Sequence, residues 1–412
     1  MFKLRIVVQK YGGTSLATSQ ARAQVCQIVS QTLAEGYRVA VVVSAIGRTG
    51  DPYATDTFIN MMRAVNPSPN PRELDLLMSC GEMISGLILS SHLNAMGIAA
   101  RFFNGAQAGL VTDGNYGNAH ILYVNPKNVM ECLEQGIVPV IAGFQGTAEE
   151  GELTTLGRGG SDTTASALGV ALNAEFIDIF TDVEGIMTAD PRIVTNARLL
   201  NAITYNEICQ LARDGAKVIH PRAVEIAMQR GIPLRVRSTF SNSTGTLVTH
   251  HSMGYDDISI IRDALITGVT YTSNIAQLKI GITEPDRQRD VPLKVFKCLA
   301  EASISVDFIS VQPELILFTV GEDMAEQAEQ TLRGIGFEPG VEVNCAKVAI
   351  VGAAMTGIPG VMAQVVEALT EYDIPILQSG DSYTNIWCLV NREHMEQAVR
   401  ALHDKFELGK NN

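Results

Sequence analysis

Apolar positions in the first 250 residues come in blocks rather than singly. Residues 4–8 are a β-rich apolar run, and residues 19–35 carry the three-to-four-residue apolar spacing of a helix, which Gly36 ends. Residues 39–44 are an unbroken apolar run of the kind buried on both faces of a parallel sheet. The same alternation predicts a helix over 71–96, buried strands over 137–144 and 176–180, helices over 208–216 and 222–230, and a strand over 234–237. Pro67, Pro69 and Pro71 confine their segment to a loop, and 241–246 reads as a turn. Strand, glycine loop, helix, strand is the rhythm of an α/β domain whose ligand loops lie at the carboxyl ends of parallel strands. That domain is expected to close near residue 250.

Beyond it the chain repeats itself. A shift of 70 residues lays 299–306 on 369–376 and matches Glu326-Gln327-Ala328 with Glu396-Gln397-Ala398, without a gap. Each unit reads as a strand (278–282 and 348–352), a helix (293–302 and 361–372), two strands and a closing helix. One further strand would complete a small ferredoxin-like βαββαβ sheet. The expected boundaries are 1–250, 263–340 and 341–408, with the last two units either sequential or interleaved.

The most suggestive polar stretch runs from Thr154 through Gly157-Arg158-Gly159-Gly160-Ser161-Asp162 into an Ala/Leu-rich segment with helical spacing. A glycine-rich loop feeding a helix N-terminus offers bare N–H groups and partial positive charge to an anion, and Arg158 adds a planar fork suited to a carboxylate or phosphate. A tight turn would use the same glycines, and Asp162 would serve either to cap the helix or to hold nearby lysines. Lys10, just before Gly12 and Gly13, stands where the first strand ends, and Lys217 lies in Gly215-Ala216-Lys217-Val218-Ile219-His220-Pro221. Lysines and glycine N–H groups at strand ends are what phosphoryl transfer to an anionic acceptor requires. Neither a Walker A loop, a protein-kinase signature nor GxGxxG is present.

A net charge of -13 over 412 residues argues against general nucleic-acid binding but leaves room for a local cationic site. The seven cysteines are scattered, odd in number and without metal-ligand spacing, so they read as reduced thiols. The N-terminal apolar run is too short for a secretory signal, and no later stretch approaches the roughly 20 apolar residues of a membrane span. A cytoplasmic protein without membrane partners is expected.

Lys10-Tyr11-Gly12-Gly13-Thr14-Ser15 resembles the KFGGTS signature of aspartokinases, and 157–162 resembles that family's GRGGSD. Residues 181–192, from Thr181-Asp182 to Asp190-Pro191-Arg192, are similar to its TDVxGVYTADPR loop, and 215–221 to GAKVLHP. The repeated tail resembles paired ACT modules, so the likeness covers the whole chain and is strongest to the monofunctional aspartokinases of bacilli, including the diaminopimelate-inhibited type. It implies an α/β amino-acid-kinase-type sandwich with a mainly parallel central sheet, followed by two ferredoxin-like ACT regulatory modules. The implied activity moves the γ-phosphoryl group of ATP to the β-carboxylate of L-aspartate, the first step toward lysine, diaminopimelate, threonine and methionine.

Carried over residue by residue, the resemblance implies that Lys10 and Lys217 contact ATP phosphates, Asp162 orients the lysines, and Gly12, Gly13 and Ser44 line the phosphate pocket. Arg158, with Ser161, would clamp a carboxylate of aspartate, Glu82 would meet its α-ammonium, and Thr49 would touch substrate. Thr181, Asp182, Met187 and Arg192 would belong to the nucleotide, with Mg2+ held mainly by phosphate oxygens rather than by a protein metal site. Tyr11 and Met187 depart from the family's usual Phe and Tyr. In the ACT units, Ser305, Asp307, Gln378, Ser379 and Asp381 are candidate ligands for an amino-acid effector, with lysine, diaminopimelate and threonine unranked; Gly357 to Gly360 would form the second unit's approach loop, and a homodimer through these modules is expected. The rivals are another amino-acid kinase, for glutamate or acetylglutamate, and an amino-acid sensor with an inactive kinase domain.

Overall fold

The computed structural model describes residues 4–216, 218–250, 266–282, 290–352, 355 and 358–410. They fall into two compact units: 4–186, 199–212 and 218–250 in the first, and 187–198, 213–216 and the described residues from 266 onward in the second. The expected boundary near 250–263 and the expected loop residue Gly357 lie outside the described residues.

The first unit runs β1 (Ile6–Tyr11), α1 (Gly13–Leu16), α2 (Ser19–Ala34), β2 (Arg38–Val43), α3 (Thr55–Val65), α4 (Pro71–Ala95), β3 (Ala100–Phe103), β4 (Leu110–Thr112) and β5 (Ile121–Val124). It continues through α5 (Lys127–Glu134), β6 (Val138–Ala142), β7 (Gln145–Ala148), β8 (Leu153–Thr155), α6 (Gly160–Ala171) and β9 (Phe176–Thr181). It ends with β10 (Ala202–Thr204), α7 (Tyr205–Arg213), α8 (Pro221–Met228), β11 (Leu234–Ser238) and β12 (Thr246–Thr249). An eight-stranded sheet has the order β10-β12-β11-β9-β1-β2-β6-β3, with every pairing parallel except β11 with β12.

The apolar runs that signalled β2 and β6 are buried along nearly their whole length, as central parallel strands require. Register then does the positioning. Tyr11 pairs with Val43 on one side and Phe180 on the other, so the carboxyl ends of β1, β2 and β9 finish level and their following loops emerge side by side.

A second sheet, β5-β4-β7-β8, was not legible in sequence because its strands are only three or four residues long. Helix α7 starts three residues before the expected 208 because Thr204 and Glu207 form a capping box, in which Glu207 accepts from the Thr204 N–H at 2.9 Å. By length and composition α4 could cross a membrane, contrary to the sequence reading, yet half of its most apolar window is buried in the protein. Its inward face sets small and polar residues beside Leu89 and Leu93 of the core, with Gly81 flush against Ala45 and Gly86 against Phe102, so it is a core helix.

In the second unit the repeats share one antiparallel sheet. Its elements are β13 (Gly268–Gly281), α9 (Val291–Glu301), β14 (Asp307–Val311), β15 (Leu315–Gly321), α10 (Ala325–Gly334), β16 (Gly340–Val351), α11 (Val361–Thr370), β17 (Gln378–Asp381), β18 (Asn385–Asn391) and α12 (Met395–Lys405). The strand order is β14-β15-β13-β16-β18-β17. The two long strands pair with each other in both halves and each gains a second partner in one half: Ile275 to Gly281 of β13 also pairs with β15, whereas Gly268 to Thr272 pairs with the end of β16 that also carries β18. The first half of β13 thus completes the second repeat, and Val269 packs in that repeat's core with Val348, Val365 and Leu402. The core of the first repeat gathers Leu278, Val295, Leu299, Phe318 and Leu332. The sequence reading found only the ends of β13 and β16. The polar run Thr270-Tyr271-Thr272-Ser273-Asn274 hid the rest, and Asn274 marks the register shift with a φ of 62°.

Candidate active site

Three loops frame the site in the first unit, each leaving the carboxyl end of a parallel strand. After β1, the Gly12 N–H donates to the Phe180 carbonyl at 3.1 Å, and the Ser44 N–H at the end of β2 donates to the Tyr11 carbonyl at 3.1 Å. The Gly47 N–H donates to the Gly13 carbonyl at 3.0 Å, joining the first two loops. A Cβ on Gly13 would lie 2.3 Å from the Gly47 carbonyl oxygen, so only glycine lets these loops meet. Tyr11 stacks on Phe180 with ring centroids 4.8 Å apart, and its hydroxyl donates to Gln9 within the core; the departure from Phe gains a hydrogen bond and keeps the packing.

The glycine loop feeds α6 as its composition suggested. Gly157 and Gly159 take positive φ values of 74° and 67°, and Gly160, Ser161 and Asp162 form the buried first turn of the helix. Lys10 reaches across from β1 to pair with Asp162 at 2.7 Å, each side chain only 11% exposed. A carboxylate in the first turn of a helix is favourable, and here it also fixes an ammonium group at the mouth of the loop. Ser161 packs so tightly on Gly143, after β6, that a Cβ there would lie 2.8 Å from the serine Cβ. Arg158 stands exposed at the apex of the loop with no ion pair among the described residues.

Glu82 comes from α4, brought beneath the second loop by Gly81. One carboxyl oxygen accepts from the Ala45 N–H at 3.0 Å, while the other is buried without a partner among the described residues. Burial pushes its pKa up to about 8 despite that bond. The Thr49 hydroxyl donates to Asp56, and Arg48 pairs with Asp182, joining the loops after β2 and β9. Asp182 also accepts from the Thr181 hydroxyl at 3.1 Å.

The other expected residues are placed differently. Lys217 lies outside the described residues. Met187 and Arg192 belong to the second unit, where exposed Arg192 is bound by both carboxylate oxygens of Asp190. Among the expected effector ligands, Ser305, Asp307, Ser379 and Asp381 are exposed, and Asp307 stands 3.6 Å from Lys347. Gln378 is spent on the fold: it donates to the Phe308 carbonyl at 2.6 Å and accepts from Gln277 at 2.8 Å.

Sequence reasoning passed over Arg48, His220 and Arg222. His220 caps α8 and lies against Gly159, and burial holds its imidazole below the ordinary histidine range, opposed by nearby Asp162. Arg222 donates to the carbonyls of Leu156 and Ala119. The available signal was an arginine in the first turn of a helix, where a cation opposes the helix dipole.

The family model described as "Amino acid kinase family" matches residues 5–238, and an ACT domain model matches 340–404. Aspartokinase 1 of Bacillus subtilis (strain 168) is 50% identical over 410 residues, covering 99% of this chain and all of the relative. Among solved structures, E. coli aspartokinase III in complex with aspartate and ADP superposes with a TM-score of 0.80 at 27% identity, covering 97% of this chain and 99% of that one. The same E. coli enzyme in complex with lysine and aspartate gives a TM-score of 0.76 at 27% identity, again with 97% and 99% covered.

Proposed function

This chain belongs to the aspartokinases, within the amino acid kinase family, and from that premise we propose that it phosphorylates the β-carboxylate of L-aspartate with the γ-phosphoryl group of ATP. The products are 4-phospho-L-aspartate and ADP. The observation that carries this reading is the Lys10–Asp162 pair, set where the end of β1 meets the glycine loop that feeds α6. The aspartate and ADP held by the E. coli relative are the ligands such a site would take.

The acceptor is ionised at neutral pH, so the nucleophile needs no general base. What opposes reaction is the approach of an anion to a polyanion. Lys10, oriented by Asp162, and the N–H groups of the glycine loops offset that repulsion on the transferring oxygens; Lys217 is assigned the same role by its motif. Arg158 would clamp a substrate carboxylate, with Ser161 beside it, and the Glu82 carboxyl group would take the ammonium. Ser44, Thr49, Thr181 and Asp182 line the surrounding loops, while Met187 and Arg192 are assigned to the nucleotide by their motif alone. Mg2+ in this reading arrives on the phosphate oxygens of ATP. Bound there, it would neutralise phosphate charge.

The second unit is proposed to bind an amino-acid effector, as the lysine complex of the E. coli relative suggests, at exposed residues including Ser305, Asp307, Ser379 and Asp381. A homodimer through this unit and a cytoplasmic location belong to the same proposal, the latter supported by seven free cysteines. The decisive test is a hydroxamate assay for acyl phosphate with aspartate and ATP. Lys10→Ala is expected to cut kcat by roughly 10²-fold or more with folding retained. An unchanged kcat would remove Lys10 from the mechanism.

A further inference from the structure

Arg222 sits in three unfavourable circumstances at once. It occupies the first turn of α8, where the helix dipole repels a cation; it is partly buried; and no carboxylate lies within ion-pair distance of it among the described residues. Its donors go instead to two main-chain carbonyls, Nη1 to Leu156 at 3.1 Å and Nη2 to Ala119 at 2.9 Å. A group held at such cost for two backbone acceptors fixes the backbone it holds.

Those acceptors belong to the two segments that brace the Arg158 loop. Gly157 lies against residues 117 and 118, close enough that a Cβ would be 2.8 Å from the Asn118 Oδ1. Gly159, on the other side of Arg158, lies against His220, where a Cβ would be 2.2 Å from the histidine Cβ. Asp75, buried in α4, ties the same segments by accepting from the N–H groups of Gly117 at 3.0 Å and Thr155 at 2.7 Å. Arg158 is thus the exposed apex of an arch with both feet backed, and Arg222 joins the backing to the base of the arch.

We propose that Arg222, through its hold on the Leu156 and Ala119 carbonyls, is a positioning residue that sets where the Arg158 guanidinium stands and therefore how tightly the acceptor carboxylate is clamped. The proposal rests on the reading of Arg158 as that clamp. A lysine at 222 keeps the charge and the apolar stem but cannot present two diverging N–H groups to both carbonyls.

The test is steady-state kinetics of the full chain carrying Arg222→Lys, alone and combined with Arg158→Ala, with Arg222→Met as a second variant and thermal unfolding as the folding control. Arg222→Lys is expected to raise the KM for aspartate roughly ten- to hundredfold while the KM for ATP stays within about twofold. In the Arg158→Ala background the same change should move the aspartate KM by less than about twofold, because the group it positions is gone. Equal shifts in both KM values, an unmoved aspartate KM, or a full effect that persists without Arg158 would each overturn the positioning role. If Arg158→Ala alone leaves the aspartate KM unaltered, the clamp reading itself has failed, and the two failures are told apart.

Discussion

Glu82 is a carboxyl group that the folded chain keeps protonated at neutral pH, because burial between α4 and the loop after β2 pushes its pKa up to about 8. Its folded value lies above its unfolded one, so between roughly pH 4.5 and 8 the folded state holds a proton that the unfolded state has released. Over that window this group lowers stability by up to about 1.4 kcal/mol per pH unit as pH rises, and above it the loss is complete. Glu82→Gln should flatten that slope in denaturation curves measured from pH 5 to 9. An ammonium ligand needs the ionised form, so the KM for aspartate should fall as pH climbs toward 8 in the native chain and stay high and flat in Glu82→Gln. A KM for aspartate independent of pH across that range would dissociate Glu82 from the substrate. Little of this was legible in the sequence. Glu82 read as a helix carboxylate matched to a motif, and its burial follows from Gly81 letting α4 lie flush on the loop after β2.

At the scale of elements, two contacts carry testable weight. The loops after β1 and β2 touch through Gly13 and Gly47, and Gly13→Ala would force a Cβ against two backbone carbonyls, with nothing flexible to yield. Displacing the loop that follows Lys10, and the end of β1 with it, by even about 1 Å should cost on the order of 10²-fold in kcat, measured with circular dichroism as the folding control. In the second unit, Lys347 on β16 is buried against Asp214 at 2.6 Å, and Asn385 donates to the same carboxylate at 2.8 Å. Removing one partner of a buried pair leaves an uncompensated charge, so Lys347→Met is expected to destabilise by about 3 to 5 kcal/mol in urea unfolding. A loss below about 1 kcal/mol would mean that solvent reaches the pair. The first half of β13 holds the same neighbourhood: the hydroxyls of Thr270 and Thr272 both donate to the Asp214 carbonyl, and Tyr271 donates to Asp190. The sequence reading missed this half-strand because its threonines and tyrosine face partners that lie far away along the chain.

For the molecule as a whole, the separate cores of the two units set the expectation. An amino acid that binds only the folded second unit should raise that unit's melting temperature, by mass action worth about 2.7 kcal/mol at a hundredfold excess over its Kd. Scanning calorimetry with lysine, diaminopimelate, threonine and methionine in turn would identify the effector. If none of the four moves any transition, the regulatory reading of the repeats is wrong. The net charge of -13 makes the cationic loops of the first unit a local exception, so salt should weaken nucleotide binding more than it affects folding.

Covalent pattern alone determined a good deal. Apolar runs and glycine loops specified an α/β unit, the 70-residue repeat specified two related units, and contiguous motifs placed Lys10, the 157–162 loop and Asp182 at strand and helix ends. These features are legible because each is written within one short stretch. The level strand ends that align three loops, the crossing of β13 into the second repeat, the elevated pKa of Glu82 and the hold of Arg222 on Leu156 and Ala119 were decided only in three dimensions. Each depends on groups tens of residues apart meeting in a space from which water is excluded. There, a carboxyl group's protonation and an arginine's choice of acceptor follow from burial and register, which no single stretch of sequence encodes.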